Sequence, residues 1–260
     1  MEIGVYGLGR FGTFWASLLA QKHTVKGFNR TPGKPFPPGV LPADETSVVA
    51  TDIFFLCVAI SSMEEVLKRI APSLKPGMIF CDTCSVKVFP VELMRRYIPE
   101  TVNVIGTHPM FGPDSGRGGV EGLPFVLCPV KSSQEAISAL KSLLAEYRLR
   151  IIDLSPAEHD RQAAYTQGIT HFIGRVLEDL ELRPSRIGTV GFSKILEIIE
   201  QTCNDPWQLF YDLQRYNPFT GEMRSRLRES LDRIMAKLEA SLDSKKTQRY
   251  DCADTGEKNG

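Results

Sequence analysis

Apolar positions fall in short runs through the first 155 residues, and the runs alternate with stretches of helical spacing. Ile3 to Tyr6 is an apolar run ending in glycine, and Phe11 to Gln21 carries apolar residues at helical intervals. Thr24 to Asn29, Asp52 to Ala59, Met78 to Asp82, Val102 to Gly106, Phe125 to Val130 and Arg150 to Leu154 are further predicted strands. Helices are predicted over Met63 to Ile70, Val86 to Tyr97 and Ser133 to Tyr147. Residues 31–39 are rich in proline and glycine, which break both regular structures, so this stretch is predicted as loop. Strands separated by helices at this spacing predict crossover units and a mostly parallel sheet. The longest apolar run, Ile53 to Ile60, is far short of the roughly 20 residues of a membrane span and reads as a buried strand.

The pattern changes after Ser155. Pro156 follows it as N-cap serine and first-turn proline, and Ala157 to Leu182 then keeps helical periodicity. Ser193 to Cys203, Trp207 to Arg215 and Phe219 to Leu242 are predicted helices, and no strand is predicted in this half. The boundaries are therefore an α/β domain over 1–155, a helical domain over 156–242 and a polar, frayed tail over 243–260.

Charge narrows the classes of partner. Thirty-one basic and 31 acidic residues cancel, so no global field favours nucleic acid or acidic lipid. Met1 is not followed by a charged, then apolar, then small-residue leader, and a reducing cytoplasm is expected. Six cysteines lie mostly inside apolar runs, where a thiol behaves as a small hydrophobe. Cys81-Asp82-Thr83-Cys84 lacks the second pair that zinc needs, so no metal site is expected and the motif reads as a strand end.

Gly7-Leu8-Gly9-Arg10-Phe11-Gly12 is a G-x-G-x-x-G between a strand and a helix, the context in which that motif binds a dinucleotide. Gly7 allows the turn, Gly9 lets the backbone approach a pyrophosphate at the helix N-terminus, and Gly12 permits close helix–strand packing. The second strand ends in Phe28-Asn29-Arg30-Thr31 rather than in the acid that holds a ribose diol. Arg30 can pair with a 2′-phosphate, with Asn29 and Thr31 adding neutral hydrogen bonds, so NADP is expected over NAD. The competing reading of Arg30 is a solvated surface residue.

A second candidate site begins at Gly106-Thr107-His108-Pro109. Ligands of open parallel sheets bind beyond the strand carboxyl ends, and imidazole suits proton transfer at neutral pH. His108 is therefore expected just past a strand as the base for a substrate hydroxyl, against the alternative of a histidine bonded into a loop.

The glycine motif, Asp82-Thr83-Cys84-Ser85-Val86-Lys87, Gly106 to Gly116, Glu158-His159-Asp160 and Gln167 to Phe172 together resemble the prephenate and arogenate dehydrogenase family over roughly residues 1–215. The resemblance implies a Rossmann-type dinucleotide-binding domain joined to an all-α domain that interlocks two subunits as a homodimer. It also implies oxidative decarboxylation in tyrosine biosynthesis, with NADP as acceptor on the reading of Arg30. His108 matches the family histidine that takes the ring-hydroxyl proton, and Ser85 the serine that orients it. Asp114 matches an acid that orders the pocket, and His171 a histidine facing the substrate from the helical half. His159 near a helix start is read as structural, and Lys87 equally as functional or as a solvated helix residue. The family's substrate-pairing arginine is missing from Gly191 to Glu200, where Lys194 is the available cation and Glu197 and Glu200 disfavour a dianion. That departure leans the reading toward arogenate. Two alternatives stand beside it: another NADP-linked two-domain hydroxyacid dehydrogenase, with Lys194 as its lysine, and a non-catalytic NADP-binding redox sensor.

Overall fold

The computed structural model describes the backbone of residues 1–253 and the side chains of residues 1–241. Its first half is one eight-stranded sheet. In chain order the strands are β1 (Glu2–Tyr6), β2 (Thr24–Phe28), β3 (Val40–Pro42), β4 (Ile53–Leu56), β5 (Ile79–Asp82), β6 (Asn103–Pro109), β7 (Pro124–Lys131) and β8 (Arg150–Asp153). Across the sheet they lie β3-β2-β1-β4-β5-β6-β7-β8. The first six are parallel, β7 is antiparallel to β6, and β8 is parallel to β7. Helices α1 (Arg10–Leu19), α2 (Glu45–Val49), α3 (Met63–Ile70), α4 (Val88–Tyr97) and α5 (Gln134–Ala145) cover its two faces.

Both faces are apolar because both are covered. Ile53 and Phe55 of β4 enter one core with Trp15, Leu19 and Phe125, while Phe54 and Leu56 enter the other with Met63, Leu67 and Phe80. This two-sided burial is why β4 reads as a continuous hydrophobic run rather than an alternating one.

Strand order reverses at β1, which has β2 on one side and β4 on the other. Tyr6 pairs with both Phe28 and Leu56, so the segments leaving these three strands emerge along one edge. That reversal is the point where open α/β sheets bind ligands.

The second half is helical: α6 (Pro156–Ala163), α7 (Ile169–Asp179), α8 (Val190–Cys203), α9 (Trp207–Tyr216) and α10 (Thr220–Ala253). Four differences from the sequence-based expectation have physical causes. β3 and α2 fall in residues 40–51, where no element is predicted; α2 has only five residues, too few to show periodicity, and is started by Asp44 accepting from Ser47 N at 2.6 Å. The expected Ala157 to Leu182 helix is interrupted by a π turn over Ala164–Gly168, a local winding that apolar spacing does not report. β6 continues through His108 and Pro109, because antiparallel pairing of His108 with Val126 and of Pro109 with Phe125 extends it. Finally, α10 runs on to Ala253, into the segment expected to fray, while residues 254–260 of that expected tail lie outside the described residues. Among the described residues no helix is long and apolar enough to cross a membrane.

Candidate active site

The turn after β1 has the geometry that a pyrophosphate needs. Gly7 has φ +98°, and a Cβ there would stand 2.3 Å from Cys57 O. A Cβ on Gly12 would stand 1.9 Å from Gly7 O, so helix and strand approach as only glycine allows. A Cβ on Gly9 would meet no atom within 4 Å, which leaves the first-turn amides of α1 open to a ligand. These residues fit a dinucleotide.

The remaining predicted cofactor residues divide. Arg10 and Phe11 line the cleft beside the turn, whereas the Leu8 side chain is buried in the core, so Leu8 can contribute only its backbone. Asn29, Arg30 and Thr31 follow β2 next to the turn, with Gly7 N donating to Phe28 O at 2.9 Å. Arg30 and Thr31 are exposed, and Asn29 Nδ2 donates to Thr31 O at 3.3 Å.

The cleft has a volume of about 710 Å³ and runs from Gly9–Gly12 across Cys57–Ile60, Cys84 and Ser85 to the end of β6 and the faces of α7 to α9. His108, Ser85, His171 and Asp114 all line it; Lys194 does not, and is exposed on α8. His108 is 3% exposed. Its Nδ1 lies 2.8 Å from His159 Nε2, and His159 Nδ1 lies 2.8 Å from Asp160 Oδ1. Asp160 also accepts from the backbone N–H groups of Lys87 at 2.6 Å and Val88 at 2.9 Å, which caps α4. Burial, followed by the charges of His159, Lys87 and His171, holds the His108 imidazole well below its ordinary pKa and therefore neutral at pH 7. His171 and His159 are pushed down by burial too.

Three sequence-based assignments change here. His108 is held within β6 rather than past its end. Its Nδ1 is turned toward α6, so its partner is His159 and not Ser85; the Ser85 hydroxyl is buried in the cleft wall without a hydrogen-bond partner. Lys87 is no solvated helix residue: it is fully buried, ion-paired with Asp82, and donates to Thr107 O at 2.5 Å. Asp82 in turn accepts from Thr107 N and Cys84 N at 3.0 Å each, tying β5, β6 and the Ser85 segment together.

The cleft is acidic. Among the described residues Arg10 is the one lysine or arginine that lines it, and it is held by two carboxylates: Asp114, and Asp205 at 2.5 Å. The guanidinium keeps the Asp114 carboxyl below the usual range. Asp212 also lines the cleft, accepting from Ser61 N at 3.1 Å and Gln208 Nε2 at 2.7 Å. Arg175 is turned away, donating to Asp205 O at 2.5 Å and lying over the Trp207 ring. Sequence reasoning gave no place to Asp205 or Asp212, and cited Gln167 and Glu158-His159-Asp160 only within the family resemblance, with His159 read as structural. The available signal was Glu158-His159-Asp160 in the first turn of a capped helix; Gln167, whose Oε1 is buried without a partner, is delivered by the π turn. Cys81 and Cys84 are buried free thiols, both pushed well above their ordinary pKa by burial.

Residues 41–153 match the model of the prephenate dehydrogenase nucleotide-binding domain, and residues 176–250 match that of a TYRAAT1-like C-terminal domain. Arogenate dehydrogenase 1, chloroplastic, of Arabidopsis thaliana is 33% identical over 256 residues, which is 94% of this chain and 40% of that protein. Arogenate dehydrogenase 2, chloroplastic, of the same plant is 36% identical over 193 residues, 72% of this chain and 54% of that protein. The chain thus spans about half or less of these relatives' length. The crystal structure of Synechocystis arogenate dehydrogenase superposes with a TM-score of 0.67 at 21% identity, covering 98% of each chain, which carries the likeness of fold.

Proposed function

The chain belongs to the prephenate/arogenate dehydrogenase family, and we propose that it oxidatively decarboxylates arogenate, in preference to prephenate, with NADP as the hydride acceptor. The observation that carries this reading is the placement of His108: a neutral imidazole lining the same cleft as the glycine turn, with Nε2 free of any partner among the described residues. Bound nicotinamide supplies the acceptor for the hydride leaving the hydroxyl-bearing ring carbon. His108 Nε2 takes the hydroxyl proton, the ring carboxylate departs as carbon dioxide, and aromatisation drives the step. Ser85, buried in the wall of the same cleft with an unused hydroxyl, is poised to bond substrate or nicotinamide.

Charge supports arogenate. Three carboxylates line the cleft against one arginine that is already shared, and prephenate would add two carboxylates with no ammonium. Arogenate brings an ammonium that the acids tolerate. Exposed Arg30, at a strand end without an acid, supports NADP. Steady-state kinetics with each substrate and each cofactor, read by NAD(P)H absorbance, tests both: kcat/KM is expected to be highest for arogenate with NADP, by about tenfold or more in each comparison, the ratio that 1.4 kcal/mol provides. A higher value for prephenate or NAD overturns the corresponding half, and no absorbance change with any pair favours a non-catalytic sensor. Lys194, outside the cleft, gives the hydroxyacid dehydrogenase alternative no lysine at the site.

The helical half is proposed to pair with a second copy. Val176 on α7, Leu180 just after it, Val190 on α8, and Leu231, Ile234, Met235 and Leu238 on α10 are exposed, the last four at helical spacing on one face. Light scattering at micromolar concentration is expected to give twice the 29.0 kDa chain mass; a monomer mass removes this part of the reading.

A further inference from the structure

His159 and Asp160 lie at the start of α6, buried at 2% and 0% exposure, and they belong to one line of hydrogen bonds that ends at the His108 ring. The direction of every bond in that line follows from its far end. Asp160 accepts two backbone N–H groups at the start of α4, at 2.6 and 2.9 Å, so it is held as an acceptor. His159 Nδ1 at 2.8 Å must therefore carry its hydrogen toward Asp160. A neutral imidazole protonated at Nδ1 has a lone pair at Nε2, so His159 Nε2 accepts from His108 Nδ1–H. The lone pair of His108 is then left on Nε2, the nitrogen that has no partner among the described residues.

We propose that His159 and Asp160 are positioning residues that act through His108, holding it in the Nδ1–H tautomer with the Nε2 lone pair in the cleft. They also give its ring a negative partner, one imidazole removed, once Nε2 has taken a proton. The proposal rests on the assignment of His108 as the base, but the tautomer it requires exists without substrate. No covalent bond to the protein forms: one proton moves from the substrate hydroxyl to His108 Nε2, and Nδ1–H stays bonded to His159. The titratable groups that act on His108 are His159 from α6, Lys87 before α4 and His171 from α7; those that act on His159 are Asp160, Lys87 and Asp82.

The test uses the full-length protein labelled with nitrogen-15 at histidine. At pH 8 the His108 signals are expected to show a protonated Nδ1 and an unprotonated Nε2. In His159→Leu they are expected to move toward the Nε2–H form, which is the more populated tautomer of an unrestrained imidazole. In kinetics, H159L is expected to lower kcat by tenfold or more with the NADP dissociation constant unchanged. Its kcat/KM acid limb should move, because the His159 ring no longer faces His108 Nδ1. H159Q, which can present an amide oxygen to Nδ1–H, should recover part of the rate. A wild-type His108 carrying its hydrogen on Nε2 overturns the proposal, and this reading needs no variant to fold. So does an H159L protein with unaltered His108 signals, or with reduced thermal stability and an unmoved pH limb. If the nitrogen shifts are as expected and no substrate turns over, the positioning pair stands and the dehydrogenase reading falls.

Discussion

Replacing His108 with alanine is expected to lower kcat by about 10²–10⁴-fold, the usual contribution of a positioned general base, while leaving NADP affinity unchanged. The separation follows from the fold. His108 sits on β6, across the cleft from the glycine turn after β1, and its ring bonds to His159 of α6 rather than to any residue of the turn. On the proposed reading, removing the ring deletes the proton acceptor and leaves the first-turn amides of α1 in place. The pH profile of the unaltered protein carries the same signature. Burial first, then neighbouring His159, Lys87 and His171, depress the His108 pKa well below its ordinary value, so the imidazole is unprotonated at neutral pH. The rate is expected to stay flat as pH falls from 8 toward 6.5 and to fall only below that, where Nε2 is protonated and can no longer accept. In H108A the residual rate should show no such limb. Turnover in H108A equal to that of the unaltered protein, with cofactor titrated by calorimetry, removes His108 from the chemistry.

The largest expected effect on stability belongs to Lys87→Met. Lys87 and Asp82 are both fully buried, and Lys87 Nζ serves two acceptors at once, the Asp82 carboxylate and Thr107 O. Removing the ammonium leaves a carboxylate in the interior with only backbone N–H donors, a change that costs about 3–5 kcal/mol. Whole-domain stabilities are about 5–15 kcal/mol, so urea unfolding should show a large drop in midpoint. Asp82→Asn in the K87M background is expected to restore part of the loss, because a neutral amide oxygen still accepts from Thr107 N or Cys84 N and no charge is stranded. An unchanged midpoint in K87M would show that the pair contributes no net stability. The pair also bears on the site. It pins Thr107, the neighbour of His108, to the segment that carries Ser85, so surviving K87M protein is expected to turn over more slowly than its folded fraction accounts for.

The two large effects differ in how visible their residues are along the chain. His108 stands in a glycine- and proline-rich segment whose resemblance to a family is specific, and it draws attention before any coordinates exist. Lys87 is equally readable as a helix-surface lysine, because a charged residue at helical spacing carries no mark of its burial. Asp82 sits in an apolar strand where only the fold reveals its three partners.

The chain's own order of residues determines the α/β half, the glycine turn, the helix that Ser155 caps and Pro156 begins, and the candidacy of His108. These depend on interactions between near neighbours: apolar periodicity, backbone freedom at glycine, and N-capping. Tertiary structure alone decides which imidazole nitrogen faces the cleft, since His108 and His159 are 51 residues apart. It likewise decides that Arg10 is spent on Asp205, 195 residues away, and that the cleft is acidic. The proton of an imidazole and the charge of a cavity are set by whatever the fold brings within about 3 Å, the reach of a hydrogen bond, and that distance has no counterpart in sequence separation.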